Sequence, residues 1–239
     1  MSIVVFLGPT LPHDEARRIV DADYRPPAAH GDVLRAALDR PEAIALVDGV
    51  FERVPSVWHK EILFALSEGV PVYGAASMGA LRAAELDVFG MRGVGEVYRA
   101  YAEGELEDDD EVAVAHAGAE HGWKPTSDAL VDVRATLDAA VNAAVVPAAT
   151  ATRILERLRA TFYADRLLLG ALDRDDEDER RLREWLPGRR VERKRTDAVA
   201  LLRRLRDGIA PVRPDWTLQR TRVWEAARQR VGERPMIAP

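Results

Sequence analysis

No cysteine occurs among the 239 residues. That excludes disulfides, thiolate metal ligands and any persulfide carried on this chain. No run of about 18 apolar residues is present, so no transmembrane helix is expected. The N-terminus, MSIVVFLGPT, lacks a basic leader and breaks at Gly8-Pro9, so a signal peptide is not expected. Together these absences predict a cytoplasmic protein. Aromatic residues make up only 6% of the chain, and none is interleaved with the basic run RRVERKR at 189–195. A nucleic-acid surface is therefore not expected, and the run reads as an exposed helix face. Internal repeats are also absent.

What is present suffices for one large domain or two modest ones, with 47% apolar residues to build a core. Charge is uneven. Residues 1–150 hold 12 Lys and Arg against 25 Asp and Glu, a balance of −13, whereas residues 151–239 hold 22 against 15, a balance of +7. Such asymmetry points to two regions with different surfaces.

The N-terminal part alternates buried strands with helices. The run IVVFL ends at Gly8-Pro9, and Ala43–Val47 ends at Asp48-Gly49; both read as buried strands. Asp14–Ala22 predicts a short helix, 24–30 a loop, and Asp32 caps a helix with Val33, Leu34 and Ala37 inward. A helix from Ser56 to Glu68 places Trp58, Ile62, Ala65 and Leu66 on one stripe, and Gly69 ends it. The strand Val70–Tyr73 follows at once. Ala43–Tyr73 is thus a βαβ unit with two parallel strands.

The stretch VPVYGAASMGALRAAEL, residues 70–86, is the centre of this part. A strand breaks into small residues and resumes as a helix, with Ser77 at the turn. Such a turn lifts a hydroxyl above a sheet, as in a nucleophile elbow, although Ala75 stands where that motif has glycine. The alternative is that Ser77 merely caps the helix. In an open parallel sheet, ligands sit beyond the carboxyl ends of the strands. That rim gathers Gly8, Asp48, Gly49 and Ser77, and the helix from Ser56 brings His59, Lys60 and Glu61 toward it. A neutral Lys60 would serve as base for Ser77, with backbone N–H groups at the start of the Met78–Leu86 helix stabilising an oxyanion. The competing reading of Lys60 is a solvated residue on a polar helix face. Asp48 and Arg82 read equally as an ion pair or cap.

Further on, 90–95 reads as a turn, Asp108–Glu111 as a solvated acidic loop and Val112–His116 as a weak strand. From Ser127 the pattern is helical. One stripe runs Leu130, Val133, Leu137, Val141 and Ala144; a second helix carries Ile154, Leu155, Leu158, Phe162 and Leu169. Others follow around Leu182–Leu186, Asp197–Asp207 and beyond Asp215. The expected fold is α/β: a small parallel sheet with flanking helices over residues 1–146, then an all-helical region over 147–239.

In order, LGPT, Asp48-Gly49, WHKEIL, GAASMGALRAAEL, FGMRGVGEVYRAYAEG and DDDEVAVAH resemble the TfuA-like family. The resemblance covers roughly residues 3–140. It implies an accessory protein working beside a YcaO-type ATP-dependent enzyme that activates peptide backbone amides, the two replacing amide oxygen with sulfur. It also implies hydrolysis of a thiocarboxylated ThiS-like sulfur carrier, releasing sulfide for the YcaO partner. The family's Ser–Lys pair falls on Ser77 and Lys60. Gly8, Asp48, Gly49, His59, Gly79 and Arg82 are the remaining candidates for binding or support, Arg82 as a cation facing the anionic thioacid. A precursor peptide is a further candidate partner. No cofactor, metal site, nucleic acid or membrane is expected. Two alternatives stand beside this reading: a non-catalytic adaptor that docks peptide or carrier onto YcaO, and a generic Ser–Lys peptidase or amidase.

Overall fold

The computed structural model describes residues 2–51 and 54–233, with side chains described as far as Val231. In chain order the elements are β1 (Val4–Phe6), α1 (His13–Ala16), β2 (Asp23–Arg25), α2 (Asp32–Leu38), β3 (Ile44–Leu46), α3 (His59–Ser67), β4 (Val72–Ala75), α4 (Met78–Leu86), β5 (Arg92–Val94) and α5 (Glu96–Ala102). Six helices follow: α6 (Leu130–Asn142), α7 (Ala148–Arg159), α8 (Leu168–Ala171), α9 (Glu177–Trp185), α10 (Arg193–Asp207) and α11 (Arg222–Glu233).

The five strands form one parallel sheet in the order β2-β1-β3-β4-β5. Strands β1, β3 and β4 are buried along their whole length, as the continuous apolar runs of a two-sided parallel sheet require. Chain direction across the sheet reverses between β1 and β3. That switch point opens a crevice beyond their carboxyl ends, where Gly8 and Asp48 lie.

Each face of the sheet has its own core. Val4, Phe6, Ile44 and Leu46 pack with α2, α3 and Trp224 of α11. On the other face Val5, Leu7, Ala45, Val47 and Tyr73 pack with Leu201, Leu202 and Leu205 of α10. The last two long helices therefore cover the sheet from opposite sides. Helices α6 to α9 enclose a separate core around Leu137, Ile154 and Leu182.

Several local expectations are corrected. Asp23–Arg25 and Arg92–Val94 are edge strands rather than loop and turn; each is only three residues long, too short to show a period. Val112–His116 makes only an isolated bridge, His116 to Pro125. Helix α3 starts at His59, and Ser56 instead accepts a hydrogen bond from Arg82. Helix α7 stops at Arg159, which leaves Phe162 and Leu169 exposed outside it. The acidic run is not a free loop: Glu111 is buried against Arg134, and Asp110 pairs with the buried Arg166.

Candidate functional site

Strand β4 delivers the chain to the rim, and a tight turn converts it into α4. Ala76 sits at φ 68, a region that costs a residue with a Cβ on the order of 1–3 kcal/mol. The Ser77 N–H donates to the Ala75 carbonyl at 2.7 Å, closing a three-residue turn. The turn is possible because the helix lies on backbone alone. A Cβ on Gly79 would overlap the Leu46 carbonyl oxygen, and one on Gly74 would overlap the Gly79 carbonyl oxygen.

Ser77 occupies the N-cap position of α4, yet its hydroxyl makes no capping hydrogen bond. It donates instead to the Val112 carbonyl in a long contact of 3.5 Å. The same carbonyl accepts a hydrogen bond from Nζ of Lys194 at 2.7 Å. Lys194, from the first turn of α10, is 4% exposed. Burial pushes its ammonium below the ordinary lysine range, opposed by the negative charges of Asp48 and Asp132. Ser77 and Lys194 thus converge on one oxygen, within the span of two hydrogen bonds.

Asp48 lies two residues beyond β3 and is buried. Its carboxylate accepts from the N–H of Gly8 at 2.9 Å, the N–H of Thr10 at 3.1 Å and the Thr10 hydroxyl at 2.6 Å. It therefore ties the ends of β1 and β3 together. Gly8 and Gly49 leave no room for side chains: a Cβ on Gly8 would press on Pro27, and one on Gly49 would meet the Met78 side chain at 2.7 Å. A cavity of about 890 Å³ opens over this floor, with Ser77, Asp48 and Gly49 in its wall and Pro27, Phe51 and Trp123 around it. Its upper side is the excursion 113–126, which folds back through Ala117 N–H to the Lys124 carbonyl and Thr126 N–H to the Ala115 carbonyl.

Of the residues read from the sequence, the structure gathers Gly8, Asp48, Gly49, Ser77 and Gly79 at this rim. Lys60 is placed elsewhere. Its Nζ donates to the Gln219 carbonyl at 2.9 Å, with the Thr221 hydroxyl at 3.4 Å, outside the cavity that holds Ser77. The cause is helix register: Glu61 and Ile62 turn inward on α3, which directs Lys60 toward the segment leading into α11. Glu61 is itself structural, accepting from the N–H groups of Gly31, Leu34 and Trp58. His59 and Arg82 also lie apart from the rim. His59 pairs with Glu85 at 2.8 Å, and Arg82 spends its donors on Glu85, Ser56 and the Val57 carbonyl. Gly79 does not offer a free N–H; it donates to the Val47 carbonyl at 3.2 Å.

Lys194 lies in the run 189–195, read from the sequence as an exposed helix face. A signal was available. The chain has three lysines against 31 arginines. Arginine cannot give up its proton in a protein, so the lone lysine is the one cationic member of the run able to act as a base.

Fold and site together define an α/β protein with a doubly wound parallel sheet and a buried serine at a strand-to-helix turn. The model of the TfuA-like protein family matches residues 48–167, half of the chain, and the chain belongs to that family. Membership supports an accessory role in thioamidation-related biosynthesis. Ser77 and Val112 lie inside the matched residues and Lys194 lies beyond them. No match was found among curated proteins. Among the described residues, no helix is long and apolar enough to cross a membrane.

Proposed function

We propose that this chain hydrolyses the C-terminal thiocarboxylate of a ThiS-like sulfur carrier, with Ser77 as nucleophile and Lys194 as its base, and supplies the sulfide to a YcaO-type enzyme acting on a peptide. The reading rests on the convergence of Ser77 and Lys194 on the Val112 carbonyl, with Ser77 in the wall of the larger cavity and Lys194 in the wall of a second, smaller one. It takes the lysine from α10 in place of Lys60.

The lysine must be neutral to act, and burial favours that form. Neutral Lys194 takes the Ser77 proton as the oxygen attacks the thioacid carbonyl. The C–S bond breaks, the proton passes to the departing sulfur, and an acyl ester remains on Ser77. Water then adds to that ester with Lys194 again taking a proton, which returns to the Ser77 oxygen. The net change is thiocarboxylate plus water to carboxylate plus hydrogen sulfide, the new carboxyl giving its proton to the released hydrosulfide. The 3.5 Å contact of Ser77 suits a resting enzyme, because catalytic hydrogen bonds often tighten only when substrate is bound. The absence of cysteine fits as well, since sulfur would arrive and leave on other molecules.

The test is sulfide release from a thiocarboxylated ThiS-like carrier by wild type, Ser77→Ala and Lys194→Met. Both variants should lose at least about 10³-fold in kcat while circular dichroism stays unchanged. Turnover retained in folded Ser77→Ala overturns the assignment. No release by the wild type, with or without a YcaO partner, would leave the adaptor role.

A further inference from the structure

Lys194 does not hold its place alone. Helix α6 reaches both parts of the contact it makes. Asp132 on α6 accepts the backbone N–H of Lys194 at 3.0 Å, so its carboxyl seats the first turn of α10. Two residues on, Arg134 clamps Glu111 with two hydrogen bonds of 2.9 and 2.6 Å. Glu111 directly precedes Val112, whose carbonyl receives the Lys194 ammonium. One helix therefore fixes the lysine and its acceptor in register. A second cavity, about 310 Å³, lies against this junction and is lined by Asp132, Lys194 and Thr10, the last of which also binds Asp48.

We propose that Asp132 is a positioning residue that seats Lys194 by its main chain and sets the basicity of its amine by its charge. The proposal rests on the hydrolase reading for its consequence in catalysis, but not for its effect on the lysine itself. Two carboxylates act on the ammonium through their charge, Asp48 just beyond β3 and Asp132 on α6. Asp48 is already held by Gly8 and Thr10. On α10 itself, Arg195 is occupied by Glu15 and Glu192, and Arg193 lies beside Glu96. Asp132 is thus the acid that touches Lys194 directly, through the main-chain N–H. Burial raises its carboxyl to about 6, with Glu192 adding to the rise, against the pull of Lys194 and of the N–H groups of Lys194 and Arg193.

The direction follows. An ionised Asp132 favours the ammonium of Lys194. Replacing it by asparagine keeps an acceptor for the Lys194 N–H and removes the charge. The amine then loses its proton more easily, and its midpoint falls.

The experiment reads Lys194 directly. With three lysines in the chain, ε-carbon and ζ-nitrogen labelling of lysine gives three signals to follow by NMR across pH. Lys60→Met and Lys124→Met assign the other two. In Asp132→Asn the Lys194 midpoint should fall by about one pH unit, the low end of what a neighbouring opposite charge is worth. The acidic limb of kcat/KM for the thiocarboxylated carrier should move to lower pH by the same amount. In the wild type the Lys194 signal should also show an inflection near the Asp132 titration, which needs no variant to fold. An unchanged midpoint in Asp132→Asn, or a wild-type signal without that inflection, overturns the proposal whatever the hydrolase assay gives. A shifted midpoint with no hydrolysis by the wild type would sink the hydrolase reading and leave the tuning of Lys194 standing.

Discussion

The sheet region and the helical region bring opposite kinds of material to the site. The rim of the sheet is made of backbone. Gly8, Gly49, Gly74 and Gly79 sit where a Cβ would press on a neighbouring chain or side chain, and Asp48 binds two main-chain N–H groups across the switch point. The helical region contributes long charged side chains that reach inward: Lys194 to Val112, Arg134 to Glu111 and Arg166 to Asp110. Close backbone contact dictates residue type at many neighbouring positions and so writes a motif. A reaching side chain dictates one position and leaves the rest of its helix free. The proposed activity depends on a region that carries almost no motif.

The sharpest way to break this contrast is to place the same substitution on each side. Gly79→Ala forces a methyl group into the Leu46 carbonyl, backbone against backbone, with no side chain able to yield. A loss of folded protein, or on the order of 4–5 kcal/mol, is expected. Gly170→Ala in α8 meets only the Leu167 Cβ at 3.4 Å and should change stability by no more than about 1 kcal/mol. Thermal melts followed by circular dichroism decide it; a normally folded Gly79→Ala would undo the account of the turn. The next effect in size is Arg166→Met. Arg166 is fully buried and donates to the Leu158 and Thr161 carbonyls at 3.0 Å and to Asp110 at 2.6 Å. Leaving those carbonyls unpaired should cost about 3–4 kcal/mol in urea denaturation. A cost near zero would mean that the helical region does not depend on this tie.

A smaller, pH-dependent effect tests how α10 is anchored. Asp197 on α10 accepts from the N–H groups of Glu96 and Val97 at 3.0 and 2.8 Å and so caps α5. Burial raises its carboxyl to about 6, above the ordinary aspartate range. The folded protein therefore holds this proton more tightly than the unfolded chain does between about pH 4 and pH 6. Asp197's contribution to stability falls as pH rises through that window. Relative to wild type, Asp197→Asn should gain on the order of 2 kcal/mol between pH 4 and pH 7. A stability difference that stays flat across those pH values would show that the cap carries no such penalty.

How much of this was legible depended on the same contrast. The three buried strands, the turn at Ser77 and the rim formed by Gly8, Asp48 and Gly49 follow from apolar runs and from the rule that parallel strands open a crevice at their carboxyl ends. The edge strands leave no mark in the sequence, because three residues show no alternation. Lys60 is the lysine that the family resemblance points to, and a helix from Ser56 would bring it toward the rim. The observed start, at His59, places Lys60 in the first turn, with the ammonium over Trp58 and the Gln219 carbonyl. Lys194 was beyond reach by spacing: it meets Val112 across 82 positions, and only the rarity of lysine in this chain marks it.

The two lysines give the last and smallest expected effect. Lys60 is partly exposed and donates to the Gln219 carbonyl, and its ammonium lies 6.0 Å from the Trp58 ring centre. Lys60→Met keeps the aliphatic stem against the tryptophan and removes one hydrogen bond that water can replace. A stability loss below about 1 kcal/mol is expected. Sulfide release from the thiocarboxylated carrier should stay within about twofold of wild type, because no interaction made in the transition state is removed. The comparison with Lys194→Met is then direct, since both changes delete an amine and keep a chain of similar volume. Loss of release in Lys60→Met, with the fold intact and Lys194→Met still active, would return the base to α3. The helical region would then be a scaffold for the site and no longer a part of its chemistry.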